Sequence, residues 1–117
     1  MKKTIILIRA APYGMASAGE GFRGIIGVAG MGIETHAVLI DDGVFVAKKG
    51  QNPSKIEMQK LEDAYKSLSD FGAKLYIHKE SAEIRGVSQE ETIEAEWIDT
   101  LRLKELINSV DAVVTFV

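Results

Sequence analysis

The strongest constraint on the fold is an uninterrupted apolar run near the start of the chain. Every one of residues 4–8 is β-branched or aliphatic, in the order Thr-Ile-Ile-Leu-Ile. A run of this kind, without alternating polar residues, is typical of a strand covered on both faces, as in parallel sheets. Parallel strands need long crossover connections, which are usually helices. The run therefore predicts an α/β fold.

The remaining chain alternates between strand-like runs and helical patterns. Further strands are predicted at residues 35–40, 74–77, 93–98 and 111–117. Helices are predicted from the loop after the first strand to Gly30, from Pro53 to about Gly72, at residues 80–85 before Gly86, and from Asp99 to Asn108, with a short helical turn at residues 44–48. We expect residues 1–117 to form a single three-layer domain, with a mainly parallel five-stranded sheet of flavodoxin-like build and helices on both faces.

Composition excludes several classes of function. The 117 residues carry a formal net charge of -3, which gives no basic footprint for direct binding to nucleic acid. No apolar run approaches the roughly 20 residues of a membrane-spanning helix. Cysteine is absent, which excludes disulfides, thiolate metal sites and cysteine nucleophiles. Since no secretion signal is evident, we expect a cytoplasmic protein.

A glycine-rich segment formally matches the dinucleotide fingerprint G-x-G-x-x-G, because Gly19, Gly21 and Gly24 have its spacing. In a true fingerprint the first glycine follows the strand directly, whereas about nine residues intervene here. Helix packing is the favoured interpretation. Gly21, Gly24, Gly27 and Gly30 form a glycine strip at every third position, which we predict to be a contact surface.

Ligands of open parallel sheets bind at the carboxyl ends of the strands. The candidate pocket at this edge comprises Pro12, Tyr13, Gly14, Asp41, Asp42, Gly43 and His78. The Asp-Asp-Gly segment is expected to act mainly as a turn, with a positive φ at Gly43. His78 is expected to be a solvated loop residue and His36 a packed or partly solvated strand residue. We predict no metal site and no cofactor, and the serines have no nucleophile-elbow context.

Four short motifs together resemble the DsrF/TusC branch of the DsrE sulfur-relay family. They are Ala-Pro-Tyr-Gly at 11–14, Gly-Glu-Gly at 19–21, Asp-Asp-Gly-Val-Phe at 41–45 and Gly-Gln-Asn-Pro at 50–53, in matching order and spacing. The likeness spans nearly the whole chain and implies a DsrE-like fold. It also implies a subunit of an intracellular sulfurtransferase complex, with DsrE/TusD-like and DsrH/TusB-like partners and two copies of each chain. Such complexes serve tRNA thiolation or sulfur oxidation.

The resemblance also places His78 where some relatives carry a cysteine after the third strand. Imidazole cannot hold sulfane sulfur as a thiolate does, so we predict no catalytic residue in this chain and an accessory, structural role. The candidate interface with partners comprises Gly21, Gly24, Gly27 and Phe45.

Two alternatives remain open at this point. One is a free-standing, flavodoxin-like protein that binds a small ligand or a nucleotide around Tyr13, Gly14, Asp42 and His78. The other is a self-associating relative without relay activity. The missing cysteine favours a scaffold over a catalyst but does not reject the binder.

Overall fold

The computed structural model describes residues 2–9, 17–48 and 65–116, which form a three-layer α/β domain. Five strands make one sheet in the order β4-β3-β2-β1-β5, and every pairing is parallel. The strands are β1 (Lys3–Ile8), β2 (Glu34–Leu39), β3 (Ala73–His78), β4 (Glu96–Ile98) and β5 (Ala112–Phe116). The predicted fold class is therefore confirmed.

Three α-helices lie within the described residues: α1 (Ser17–Gly30), α2 (Lys79–Ile84) and α3 (Thr100–Ser109). Short 3₁₀ helices occupy Asp41–Ala47, Ser67–Phe71 and Gln89–Glu91. Asp99 caps α3 by accepting the Arg102 N–H at 2.8 Å, as the sequence predicted. None of the described helices has the length and apolar character needed to cross a membrane.

Each face of the sheet has its own apolar layer. On one face Ile6, Ile8 and Leu39 pack with Ile25 of α1 and with Leu68. On the opposite face the buried cluster joins the sheet to α3, and its members are Ile5, Val38, Tyr76, Ile98, Leu103 and Leu106. Because successive strand residues point to opposite faces, the unbroken apolar run of β1 supplies both layers at once.

The predicted long helix after Pro53 falls largely on residues 49–64, which lie outside the described residues. Its last part is described: Tyr65 and Leu68 are each 1% exposed. The segment ends at Gly72, whose φ of 82° is a left-handed cap that glycine adopts without steric cost. Both side chains belong to the apolar core on the α1 face of the sheet.

The fourth strand is shorter than the predicted range 93–98. Only Glu96–Ile98 pairs with β3. The Ile93 N–H donates instead to the Ala47 carbonyl at 2.8 Å, and Thr92 forms an isolated antiparallel bridge with Lys48. The apolar character of Ile93 reflects burial in the core, with 3% exposure, rather than membership of the strand.

Candidate functional site

The carboxyl edge of the sheet gathers the predicted site residues that the structure describes. Asp41, Asp42 and Gly43 begin the 3₁₀ helix after β2, and His78 is the last residue of β3, the neighbouring strand. Pro12, Tyr13 and Gly14 lie outside the described residues. The described contacts at this edge come from the ends of β1, β2 and β3, from the start of α3 and from both ends of α2.

His78 is buried rather than solvated, which makes the expectation of a solvated loop residue wrong. Its exposure is 8%, and both ring nitrogens are engaged. Nδ1 lies 2.6 Å from Ser81 Oγ, and Nε2 lies 2.8 Å from Thr100 Oγ1. The residue also caps α2, because Nδ1 accepts the Ser81 N–H at 3.3 Å. A histidine at the end of a strand is here a helix cap inside the core.

The hydrogen bonds around His78 form one directed chain. The Asp41 N–H donates to Ser81 Oγ at 3.0 Å, so the Ser81 hydroxyl proton is free to point at His78 Nδ1. In the neutral ring, Nδ1 is then the acceptor and the Nε2–H group donates to Thr100 Oγ1. A buried histidine with both nitrogens satisfied in this way is held in one tautomer and one ring orientation.

Glu80 completes the cluster on the solvent side. Its Oε2 accepts the Thr100 N–H at 3.0 Å, and this bond is the main reason that the pKa of Glu80 is lowered from its usual value. Its Oε1 lies 3.7 Å from His78 Nε2 and has no hydrogen-bond partner among the described residues. The Glu80 carboxylate thus ties the start of α3 to α2.

Asp41 and Asp42 do not form a carboxylate pair. Asp41 Oδ2 accepts from Arg9 Nε at 2.8 Å, whereas Asp42 Oδ1 accepts from Arg85 Nε at the same distance. The two carboxylates therefore point to different partners, one at the end of β1 and one just after α2. The segment expected to act as a turn opens the 3₁₀ helix Asp41–Ala47, and the two ion pairs hold it from both sides.

The backbone of this turn differs from the expectation in one respect. The positive φ belongs to Asp41, at 55°, and not to Gly43. Gly43 is required for a different reason: a Cβ at this position would overlap the carbonyl oxygen of Ile8. The glycine therefore permits close approach of two backbones rather than a left-handed conformation.

Two of the four glycines of the glycine strip, Gly21 and Gly24, pack against other parts of the chain. Gly19 to Gly24 lie within α1, so the fingerprint spacing does not form a phosphate-binding turn. A Cβ on Gly21 would overlap the Ile8 side chain, and one on Gly24 would lie 3.1 Å from Phe116. Gly27 is exposed, and no atom of the described residues lies within 4 Å of its Cβ position, while Phe45 is half-buried against the core. Of the candidate interface, Gly21 and Gly24 serve internal packing, whereas Gly27 stays a predicted contact residue.

A cavity of about 560 Å³ opens at the other end of the sheet. It lies between the 3₁₀ segment Ser67–Phe71 and the residues before β4, and it is lined by Leu68, Leu75 and Ala95 with Lys74 and Glu96. None of Asp41, Asp42, Gly43 or His78 lines it. Within the described residues no cluster of three metal-ligating side chains occurs.

Sequence reasoning did not predict the contacts of Thr100, Glu80, Arg9 or Arg85, and it considered Ser81 only as a nucleophile without a suitable context. His78 carries no standard local signal for its role, because the preferred helix N-cap residues are Ser, Thr, Asp and Asn. Ser88 and Glu91 do have the spacing of a capping box, and the structure forms one there. The contacts of Thr100 and Arg9 have no local signal, because their partners are 22 and 32 residues away.

Comparison with known proteins gives a consistent set of relatives. A sequence model of the DsrE/DsrF-like family matches residues 2–116. The chain is 30% identical to the intracellular sulfur oxidation protein DsrF of Allochromatium vinosum, covering 99% of this chain and 97% of that protein. It is 26% identical to the TusC homolog of Pseudomonas aeruginosa, covering 95% of both. The crystal structure of the ychN protein from E. coli superposes with a TM-score of 0.81 at 25% identity, covering 99% of this chain and 100% of that one.

Proposed function

Because this chain belongs to the DsrE/DsrF-like family, we propose that it is a subunit of a sulfur-relay complex and carries no sulfur itself. The observation that carries this proposal is the absence of cysteine from all 117 residues. Sulfur transfer through a persulfide needs a thiolate to attack and then hold the sulfane sulfur. The thiol of the complex therefore comes from another subunit.

The surroundings of His78 support this assignment. The residue lies at the end of β3, where the resemblance places a cysteine in some relatives. Its ring is buried and both nitrogens are hydrogen-bonded, to Ser81 and to Thr100. A side chain enclosed in this way orders the start of two helices and presents no free nitrogen to an incoming persulfide.

The proposed partners are a DsrE/TusD-like chain that carries the thiol and a DsrH/TusB-like chain, with two copies of each subunit. Relatives named DsrF and TusC support membership of such a complex. The complex would serve either sulfur oxidation or tRNA thiolation. In either pathway, the role of this chain is to shape or hold the partner's cysteine site.

Co-expression tests the proposal. A tagged copy of this chain is produced together with the two partner-type chains, and the complex is purified through the tag. We expect stoichiometric co-elution, and a persulfide donor should add sulfur only to the thiol-bearing partner, as read by intact-mass spectrometry. A partner lacking its cysteine is the matched control and should co-elute without gaining sulfur. Elution of this chain alone would contradict the proposal.

A second experiment examines the site itself. His78→Cys places a thiol at the end of β3, where the resemblance places a cysteine in some relatives. The native side chain there is only 8% exposed. We expect this thiol to react slowly with alkylating reagents and to gain little sulfur from a donor. Ile84→Cys, at a residue that is 81% exposed, provides a fast-reacting reference. Rapid persulfide formation on His78→Cys would indicate that the site still accepts sulfur.

A further inference from the structure

Within residues 2–9, 17–48 and 65–116, the outer edge of β5 lacks the features that normally protect a sheet edge. The strand Ala112–Phe116 pairs with β1 on one side only and ends the sheet. Its five residues are Ala-Val-Val-Thr-Phe, with no charge and no proline. Natural edge strands are usually blunted by lysine, proline, a bulge or a covering element, because an open edge invites pairing with another chain.

Both faces of β5 are also incompletely covered. Val113 is 44% exposed and Val114 is 41% exposed, and adjacent strand residues point to opposite faces. In register, Val113 pairs with Ile5, which is buried beneath α3, and Val114 pairs with Ile6, on the α1 side. Two apolar side chains at the sheet edge are thus open on opposite faces, and an added strand at this edge would contact both.

The direction of the free backbone groups follows from the pairing with β1. The Phe116 carbonyl accepts the Arg9 N–H at 2.9 Å, so Phe116 faces β1. Backbone groups alternate along a strand, so Ala112 and Val114 face β1 as well. The N–H and C=O groups of Val113 and Thr115 therefore point away from the sheet.

We propose that this edge pairs with β5 of a second copy of the chain, antiparallel across a two-fold axis at Val114. In this register Val113 of each copy lies opposite Thr115 of the other. Each of these pairs exchanges two hydrogen bonds, so all four outward donors of the two strands find acceptors. Val114 faces its own counterpart in the non-hydrogen-bonded pair at the axis, and the two sheets become one ten-stranded sheet.

Self-complementarity selects a second copy as the occupant. An isologous contact needs a surface that matches itself under a two-fold rotation, and five uncharged residues with outward groups at Val113 and Thr115 meet that condition around Val114. The strand brings no like charges together, and it carries no side-chain charge that would select an oppositely charged partner strand. This proposal does not depend on the proposed function in sulfur relay.

Cysteine cross-linking tests the register, and the cysteine-free chain suits it because one substitution gives one thiol. Non-hydrogen-bonded antiparallel pairs have Cα atoms about 4.5 Å apart, within the range that a disulfide spans. We expect Val114→Cys to form a covalent dimer under mild oxidation. Val113→Cys is the matched control: it is equally exposed but faces Thr115, so it should cross-link at least about tenfold more slowly. Equal cross-linking of the two variants would overturn the proposal.

Sedimentation equilibrium of the chain produced alone gives an independent test. We expect a dimer for the native chain, and Val114→Lys should weaken association by at least about tenfold because it places two ammonium groups at the axis. Val113→Pro should also weaken it, since proline removes an outward N–H that the sheet itself does not use. Ile84→Lys is the control at another exposed apolar residue and should leave the dimer unchanged. A native chain that stays monomeric, or pairs only with a different protein, would overturn the proposal.

Discussion

His78 Nε2 lies 2.8 Å from the hydroxyl oxygen of Thr100, which joins the end of β3 to the start of α3. The other ring nitrogen contacts Ser81 in α2. One side chain therefore connects a strand with the two helices that begin at the carboxyl edge. Its removal should affect stability more than any exposed residue nearby.

We predict that His78→Leu lowers the free energy of unfolding by about 1–3 kcal/mol. The hydroxyl groups of Ser81 and Thr100 would stay in the same place but lose the hydrogen-bond partner that His78 provides. His78→Asn should lose less, since asparagine retains an acceptor for the start of α2. Urea denaturation followed by circular dichroism measures both. Lys79→Ala, at the next and exposed position, is the control. An unchanged midpoint for His78→Leu would mean that the cluster contributes nothing to stability.

Glu80 should make the free energy of unfolding depend on pH in the acid range. The Thr100 N–H lowers the pKa of Glu80 in the folded chain below the usual 4.5, so the unfolded chain binds the proton more readily. The stabilisation that the bond between Glu80 and Thr100 gives the folded chain is therefore present above about pH 4.5. It is lost as the pH falls through the folded-state pKa of Glu80. We expect Glu80→Gln to reduce the loss of stability between about pH 5 and about pH 3.

The measurement for Glu80→Gln is the urea midpoint at a series of pH values. Glu90→Gln, which changes an exposed glutamate on the third 3₁₀ helix, controls for the general effect of removing one negative charge. If both variants changed the acid dependence equally, the bond between Glu80 and Thr100 would not be its source.

Two glycines should respond in opposite ways to alanine. Gly43→Ala would bring a methyl group onto the Ile8 carbonyl, so we expect a loss of about 3 kcal/mol or more, or failure to fold. Gly27→Ala adds a methyl group to open space in a helix and should stabilise the isolated chain by up to about 1 kcal/mol. Thermal unfolding distinguishes the two. If Gly27→Ala also abolishes co-elution with partner chains, Gly27 lies in an interface.

Asp41 combines a positive φ of 55° with a salt bridge to Arg9. Asp41→Asn keeps a residue type that tolerates this conformation, so we expect a change within about 1 kcal/mol. Asp41→Val should cost about 1–3 kcal/mol, because β-branched residues are strained at positive φ. Arg9→Ala isolates the ion pair and should have a small effect, since both partners are about half exposed. If Asp41→Asn and Asp41→Val lowered the free energy of unfolding equally in urea denaturation, the positive φ of Asp41 would not be the cause of the loss.

Much of the fold was predictable because its signals are local. The apolar run of β1, the cap at Asp99 and the glycine at position 72 each act within a few residues. The predicted range of β4 was wrong at residues 93–95. Ile93 is apolar because it packs in the core beside Ala47, about 46 residues away, and not because it belongs to the strand. Sequence pattern reports that a residue is buried but not which neighbour buries it.

The sequence by itself determined two things about this protein. The order of apolar runs and helix signals required a parallel α/β domain, because only crossovers can join such strands. The absence of cysteine excluded any thiolate chemistry in this chain, since no fold can supply an atom that the chain lacks.

Tertiary structure alone decided the rest, because the decisive contacts join residues far apart in the chain. Ile8 determines that position 43 must be glycine. Thr100 and Ser81 turn His78 from an expected solvated edge residue into a buried cap. The strand order places the uncharged strand β5 at the edge of the sheet, where its apolar run faces solvent instead of the core.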